Sequence, residues 1–271
     1  MPVRAVLLDL DNTLLLEDEA TRSAVRRTSE RAGRRVHADP GVISSAAAGA
    51  AEELFGSAPV FRYAEEVGIW WGEALWGDFA GDAPGLRALR AFVPGFRQAV
   101  WTTALAAAGI EDPALARDLA SAHAEDRRSD WAVDPAAVRT LDTLAARYRL
   151  ALVTNGAPAV QRAKLAGANI RSRFAAVIVS AELGIGKPDR RIFEAALRAI
   201  GAAAGDAVMV GDSIERDIVG ARGAGLRTIW IDRDHQAPDR SALADARITE
   251  LGELPAALNA VEDPAPTAQP A

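Results

Sequence analysis

Short apolar runs, each closed by a polar or glycine-bearing turn, limit what this chain can fold into. The first is Ala5-Val6-Leu7-Leu8, which ends abruptly in Asp9-Leu10-Asp11-Asn12-Thr13. A run this short and this apolar predicts a strand buried on both faces. Leu150-Ala151-Leu152-Val153, Ala175–Ser180, Ala207–Val210 and Thr228–Ile231 have the same character, and Arg247–Thr249 reads as a short edge strand. From Asp134 onward these runs alternate with helical patterns, such as Val138, Leu141 and Leu144, or Ile192, Phe193, Ala196, Leu197 and Ile200. The alternation predicts an α/β fold with a doubly wound, mostly parallel sheet and right-handed crossovers.

Between Leu16 and Trp131 no strand pattern occurs. Residues 16–133 therefore read as an all-helical insertion after the first strand, and residues 1–15 and 134–262 as the α/β core. An insertion at that place makes a cap over the carboxyl edge of the sheet. An Arg-rich helix is expected over Glu19–Arg35. Its Arg26, Arg27, Arg31, Arg34 and Arg35 suit either a solvated face or the attraction of an anionic substrate. Phe61, Ala64, Gly68, Trp71, Leu75 and Phe79 recur at helical spacing and predict one helix. Leu86–Val93 reads as a shorter helix stopped by Pro94-Gly95, followed by helices over Phe96–Gly109 and Pro113–Glu125. Glu125–Asp130 reads as a charged hinge. Five of the six Trp, at 70, 71, 76, 101 and 131, lie in or beside the insertion, where they serve packing or the stacking of a ring. The Pro- and Ala-rich stretch 263–271 has no apolar face and is expected to be disordered.

The 271 residues carry a net charge of -6, which disfavours nucleic acid as a partner. No Cys is present, excluding disulfides, thiolate metal sites and a Cys nucleophile. His37, His123 and His235 show no metal-ligand spacing and are expected to be surface or packing residues. With no secretory leader pattern and no long apolar run, neither export nor membrane insertion is expected, and a cytoplasmic location is. The sequence sets no oligomeric state.

Four strand ends bring chemistry to one edge of the sheet, the edge where ligands of open parallel sheets bind. Asp9 and Asp11 are two apart, so an extended chain points both carboxylates the same way. Two such charges repel by roughly 4 kcal/mol at ~4 Å and an effective dielectric near 20, and a divalent cation would offset this. An Asx-rich turn is the plain alternative. Thr154 ends the second strand. Its hydroxyl and the amides of Asn155 and Gly156 face either an anion or the start of the next helix. Lys187 lies in Gly184-Ile185-Gly186-Lys187-Pro188, where it either neutralises a carboxylate or phosphate or stands on the surface. The fourth strand ends in Gly211-Asp212-Ser213. Asp212 is placed to complete an oxygen-only Mg²⁺ site with Asp9 and a backbone carbonyl. Asp217 serves that site from the following helix or acts only on the helix terminus.

Together these residues resemble the haloacid dehalogenase superfamily. Its four motifs are matched by Asp9-Leu10-Asp11-Asn12-Thr13, by Thr154, by Lys187, and by Gly211-Asp212 with Asp217, and the helical insertion resembles the family's C1-type cap. Leu152–Gly156 and the Gly-Lys-Pro loop look most like the branch of pyrimidine 5'-nucleotidases and N-acylneuraminate-9-phosphatases. The resemblance implies a phosphomonoester hydrolase acting on a small phosphorylated metabolite. Asp9 would be the nucleophile that forms an aspartyl-phosphate, and Asp11 the acid and then the base. Mg²⁺ would be held by Asp9, the Asp11 carbonyl and Asp212. Phosphate would be bound by Thr154, Asn155 and Lys187, with Thr13, Gly156, Gly211, Ser213 and Asp217 in support. A phosphomutase of the superfamily keeps Asp11 and stays open. A 2-haloacid dehalogenase would lack an acid there. A receiver-like signalling protein is the alternative outside the family.

Overall fold

The computed structural model describes residues 2–233 and 238–262, so His235 and the predicted tail 263–271 lie outside the described residues. In chain order the elements are β1 (Ala5–Leu8), α1 (Glu17–Val36), α2 (Pro40–Gly56), α3 (Phe61–Val67), α4 (Trp71–Ala74), α5 (Pro84–Ala107) and α6 (Pro113–Arg128). There follow α7 (Ala137–Ala145), β2 (Arg149–Thr154), α8 (Pro158–Gly167), β3 (Ala176–Val179), α9 (Ser180–Leu183), α10 (Arg190–Ile200), β4 (Ala207–Gly211), α11 (Gly220–Gly223), β5 (Arg227–Ile231), β6 (Ala246–Ile248) and α12 (Leu254–Glu262). They form two compact units. One is an α/β unit of Met1–Leu16, Val133–Asn155 and Ala168–Ala271; the other is a helical unit of Glu17–Ala132 and Gly156–Gly167.

The α/β unit holds a six-stranded sheet in the order β3-β2-β1-β4-β5-β6, with every neighbouring pair parallel. Leu8 at the end of β1 stands between Leu152 of β2 and Val210 of β4. The chain builds outward from β1 to β3, then returns to the other side of β1 with β4. The strand order thus reverses between β1 and β4, the switch point at which such sheets open a crevice. Ala5, Leu7, Ala151, Val153, Ala207 and Met209 share one core with Ile192, Phe193, Ala196, Leu197 and Ile200 of α10. The alternate residues Val6, Leu8, Leu150, Leu152, Val208 and Val210 are also buried. They belong to the opposite face, on which α7 packs against β2 and α12 against β5 and β6. Burial on both faces is why these strands read as unbroken apolar runs rather than alternating ones.

In the helical unit α1, α2, α5 and α6 pack in a ring of neighbours, α1 on α2, α2 on α5, α5 on α6 and α6 on α1. Phe55, Phe92 and Phe96 meet with ring centroids 5.4 to 6.4 Å apart, and Trp76 and Trp101 are fully buried. Two expected helices differ. The stripe from Phe61 to Phe79 is not one helix: α3 ends at Gly68, whose φ of 74° is left-handed, and α4 starts afresh at Trp71. Glycine adopts that conformation without strain, and the Ile69 amide closes the turn on the Ala64 carbonyl at 2.7 Å. Conversely, Pro94 does not stop a helix. α5 runs through it, because Leu86, Leu89 and Val93 before it and Phe96, Val100 and Trp101 after it are buried on one continuous stripe. Burial on both sides outweighs the lost hydrogen bond, a cost of roughly 3 kcal/mol or more. The Glu125–Asp130 stretch is likewise no hinge at its start, since α6 continues to Arg128.

The helical unit also buries charge. Arg127 Nη2 lies 2.6 Å from Glu17 Oε2, and Lys164 Nζ lies 2.8 Å from Glu73 Oε1 and 3.5 Å from Glu17 Oε2. Gln161 Nε2 donates to Glu73 at 3.3 Å. None of the four charged side chains is more than 2% exposed. Lys164 and Gln161 come from α8, so their pairs tie that helix to α1 and α4, and Arg127 ties α6 to the same Glu17. On the outside, Arg27, Arg31 and Arg35 of α1 pair with Asp130, Asp126 and Asp118 at 2.9, 3.3 and 3.1 Å. The Arg-rich face is therefore largely neutralised. No helix among the described residues is long and apolar enough to cross a membrane.

Candidate active site

β1 ends where its neighbours end, so Asp9 and Asp212 are brought to one edge by the parallel register. The Asp9 amide still donates to the Val210 carbonyl at 3.0 Å, extending the ladder one residue beyond the strand. Asn12 then turns the chain at a φ of 58°, which Asn tolerates better than most residues. Lys187 reaches into this edge. Its Nζ lies 2.5 Å from Asp9 Oδ1 and 2.6 Å from Asp217 Oδ1, and all three residues are buried. The Thr13 hydroxyl stands between Asp9 Oδ2 at 3.5 Å and Asp212 Oδ1 at 3.4 Å. Carboxylate oxygens of Asp9, Asp212 and Asp217 lie within 4.8 Å of one another.

Three carboxylates around one ammonium leave excess negative charge in a desolvated place. Burial pushes Asp9 up to about 7; the Lys187 ammonium opposes this, while Asp217 and Asp11 add to it. Burial, then Asp9 and Asp217, hold Asp212 well above the usual carboxylate range. Burial alone would lower Lys187, but the Asp217 and Asp9 carboxylates outweigh it and hold the ammonium above its ordinary value. Lys187 is therefore a fixed cation at any neutral pH.

The supporting residues are placed as follows. A Cβ on Gly211 would stand 2.3 Å from Asp217 Cγ, so only glycine leaves Asp217 room at the end of β4. The Ser213 amide donates to Asp217 Oδ2 at 3.0 Å, and the Ser213 hydroxyl accepts from the Arg216 amide. Thr154 is fully buried at the end of β2, its hydroxyl 3.3 Å from the Asn155 carbonyl. Two expectations change in detail. The Asn155 carboxamide clasps the backbone of Lys187, donating to its carbonyl at 3.0 Å and accepting from its amide at 2.8 Å. It thus fixes the lysine loop. The Gly156 amide, expected to face an anion, donates to the Val67 carbonyl at 3.0 Å.

Other residues carry no motif. Arg233, after β5, donates to the carbonyls of Asn12 and Thr13 at 3.0 and 2.8 Å and pairs with Asp134 at 2.7 Å. One planar guanidinium therefore holds the loop that carries Asp9 and Asp11. Trp230 Nε1 donates to the Asp212 carbonyl at 2.9 Å and so fixes the second carboxylate's backbone. A lone Arg and a lone Trp beyond the fifth strand give no sequence signal for these tasks.

The description "haloacid dehalogenase-like hydrolase" matches residues 3–225. The chain belongs to that family. It is 40% identical over 253 residues to a phosphoserine phosphatase of Thermus thermophilus, covering 93% of this chain and 98% of that protein. Over 121 residues it is 33% identical to the pyrimidine 5'-nucleotidase YjjG of Escherichia coli, 44% of this chain and 54% of that one. Among solved structures it resembles the HAD-hydrolase YfnB of Bacillus subtilis, which was solved bound to magnesium. The TM-score is 0.65 at 21% identity, covering 96% and 100% of the two chains. The last comparison concerns the fold.

Proposed function

We propose that this hydrolase cleaves small phosphomonoesters through a covalent phosphoryl group on Asp9, with Mg²⁺ as cofactor. The observation that carries the reading is the convergence of the buried Asp9 and Asp217 on Lys187 with the half-buried Asp212 beside them, which leaves carboxylate charge in excess. The donor set fits a hard dication: oxygen ligands alone, in excess over the one cation present. Asp9, Asp212 and the Asp11 carbonyl would hold Mg²⁺, which when bound supplies charge neutralisation between the carboxylates and a phosphate dianion.

The residues divide the work. An Asp9 oxygen attacks phosphorus, and the bond to the ester oxygen breaks. Asp11 gives its proton to that leaving oxygen, then takes one from the water that cleaves the aspartyl-phosphate. Lys187 and Thr154 hold phosphate oxygens, with Lys187 also orienting Asp9. Asp217 anchors the lysine and Asn155 its loop. Choice of the leaving group falls to the helical unit, since the motif residues act only on the phosphoryl group. The Thermus relative, matched over nearly its whole length, makes phosphoserine the first candidate, ahead of nucleotides and sugar phosphates.

The test is phosphate release from phosphoserine, nucleotides, sugar phosphates and an aryl phosphate, with and without Mg²⁺. Asp9→Asn serves as blank and is expected to lower turnover by at least about a thousandfold while keeping the fold. Mg²⁺-dependent release confined to the parent chain is the expected outcome. Near-normal release by Asp9→Asn would end the covalent reading. Chloride release from a 2-haloacid in place of phosphate release would favour a dehalogenase.

A further inference from the structure

α6 shows two unlike faces. Toward α1 it offers Asp118 and Asp126, with Asp130 just past its end, each paired with an arginine of α1. Toward α5 it lines a cavity of about 430 Å³ with Arg117, Ala120, Ser121, Ala124, Glu125 and Arg128, and α5 supplies Pro94, Arg97 and Gln98. The α6 residues fall at spacings of 3, 1, 3, 1 and 3, one stripe of a helix some 16 Å long. The floor is small side chains and the ends are cationic.

None of the three guanidinia is paired with a carboxylate among the described residues. Arg97 donates instead to the carbonyls of Ala74 and Gly77 at 2.8 and 2.6 Å, and Arg128 to that of Trp76 at 2.8 Å. The turn after α4 thus holds two like charges close together. Burial, then the Arg128 guanidinium, lower Arg97 to about 10, with Asp78 pulling the other way. With Glu125 as the one carboxylate, the lining carries three positive charges and one negative, a net of +2. This stands in a chain whose net charge is -6.

We propose that this groove between α5 and α6 is a binding site for a small multivalent anion, separate from the Asp9 residue set and independent of the activity assigned to it. Guanidinium forks match phosphate and carboxylate oxygens alike, so the shared chemistry is a compact anion of two or more charges. Arg97 and Arg128, fixed by carbonyls, receive one end. Arg117, exposed on α6, closes on the other.

The experiment is calorimetric titration of the full chain, with metal chelated, using inorganic tripolyphosphate in one arm and citrate in the other. Saturable binding is expected in at least one arm, and the stronger arm tells phosphate from carboxylate. Arg117→Glu should weaken it about tenfold or more, and Glu125→Gln should tighten it about threefold. Both positions are exposed, and unchanged circular dichroism and Tm would certify the folds. Absence of saturable binding in both arms overturns the proposal. So does binding with the same Kd in the parent and Arg117→Glu, which would place the anion elsewhere, the Asp9 edge included.

Discussion

Each unit holds a cluster of four charged side chains, and the two clusters balance their charges differently. In the helical unit Glu17 and Glu73 face Arg127 and Lys164, two against two. In the α/β unit the cluster of Asp9, Asp212 and Asp217 has one cation among the described residues, Lys187, paired with Asp9 and Asp217. The first group is balanced in charge. The second is short of positive charge, and its strain is visible in Asp9 and Asp212, whose carboxyls are held well above their ordinary range. Burial of charge is therefore no mark of function by itself; an uncancelled buried charge is, because it leaves work for a ligand to do.

The comparison breaks most sharply at Lys164. Lys164→Met leaves two buried carboxylates to share one arginine and is expected to cost roughly 3–5 kcal/mol of stability, read as a fall in the urea midpoint. Adding Glu73→Gln should return part of that loss. A single variant as stable as the parent would show that the helical cluster is not the balanced structure described.

Mg²⁺ should act on the other unit. At a hundred times its Kd it should add about 2.7 kcal/mol, and Asp212→Asn should remove the effect. The pH dependence carries the same information. The folded protein without metal keeps a proton on Asp9 up to about 7, whereas the unfolded chain releases it near 3.8. The folded state binds more protons across that window, so this group's contribution to stability falls as pH rises from about 4 to 7. Mg²⁺ should flatten the fall, as should Asp9→Asn. Urea midpoints at three pH values, with and without Mg²⁺, measure it. An unchanged slope would remove the charge excess as the reason for metal binding.

Smaller effects sharpen the picture. Arg233→Lys keeps the charge but lacks the planar fork that spans two carbonyls and Asp134. Turnover should drop about tenfold through the loosened Asp9 loop, with KM little changed. The surface pair Arg35–Asp118, more than half exposed on both sides, sets the lower bound. Arg35→Ala should shift stability by about 1 kcal/mol or less.

The α/β half of this architecture is legible in the residues because its strands are buried on both faces and end in chemistry. An apolar run cut off by Asp9, Thr154 or Gly211-Asp212 is a local pattern, and local patterns survive in a sequence. The charge cluster of the helical unit is not local. Glu17 meets Arg127 from 110 positions away and Lys164 meets Glu73 from 91. Each of these residues, taken alone, reads as a solvated side chain. Arg233 is hidden for the same reason, 220 and 221 positions from the carbonyls it holds. Pro94 and Gly68 mislead in opposite ways. A buried stripe carries a helix through the proline, while a left-handed glycine interrupts a stripe that is periodic in sequence.

The division of the chain has a consequence for its birth on the ribosome. The polypeptide passes between the two units after residues 16, 132, 155 and 167. β1 is made first yet waits for β2 and β4, its partners from Arg149 and Ala207 onward. The helical unit, nearly all synthesised by Ala132, still lacks the cation that neutralises Glu73 until Lys164 emerges. Neither unit can therefore be finished before the other is under way, and a nascent chain halted between them exposes an open strand while the helical charge cluster still awaits Lys164.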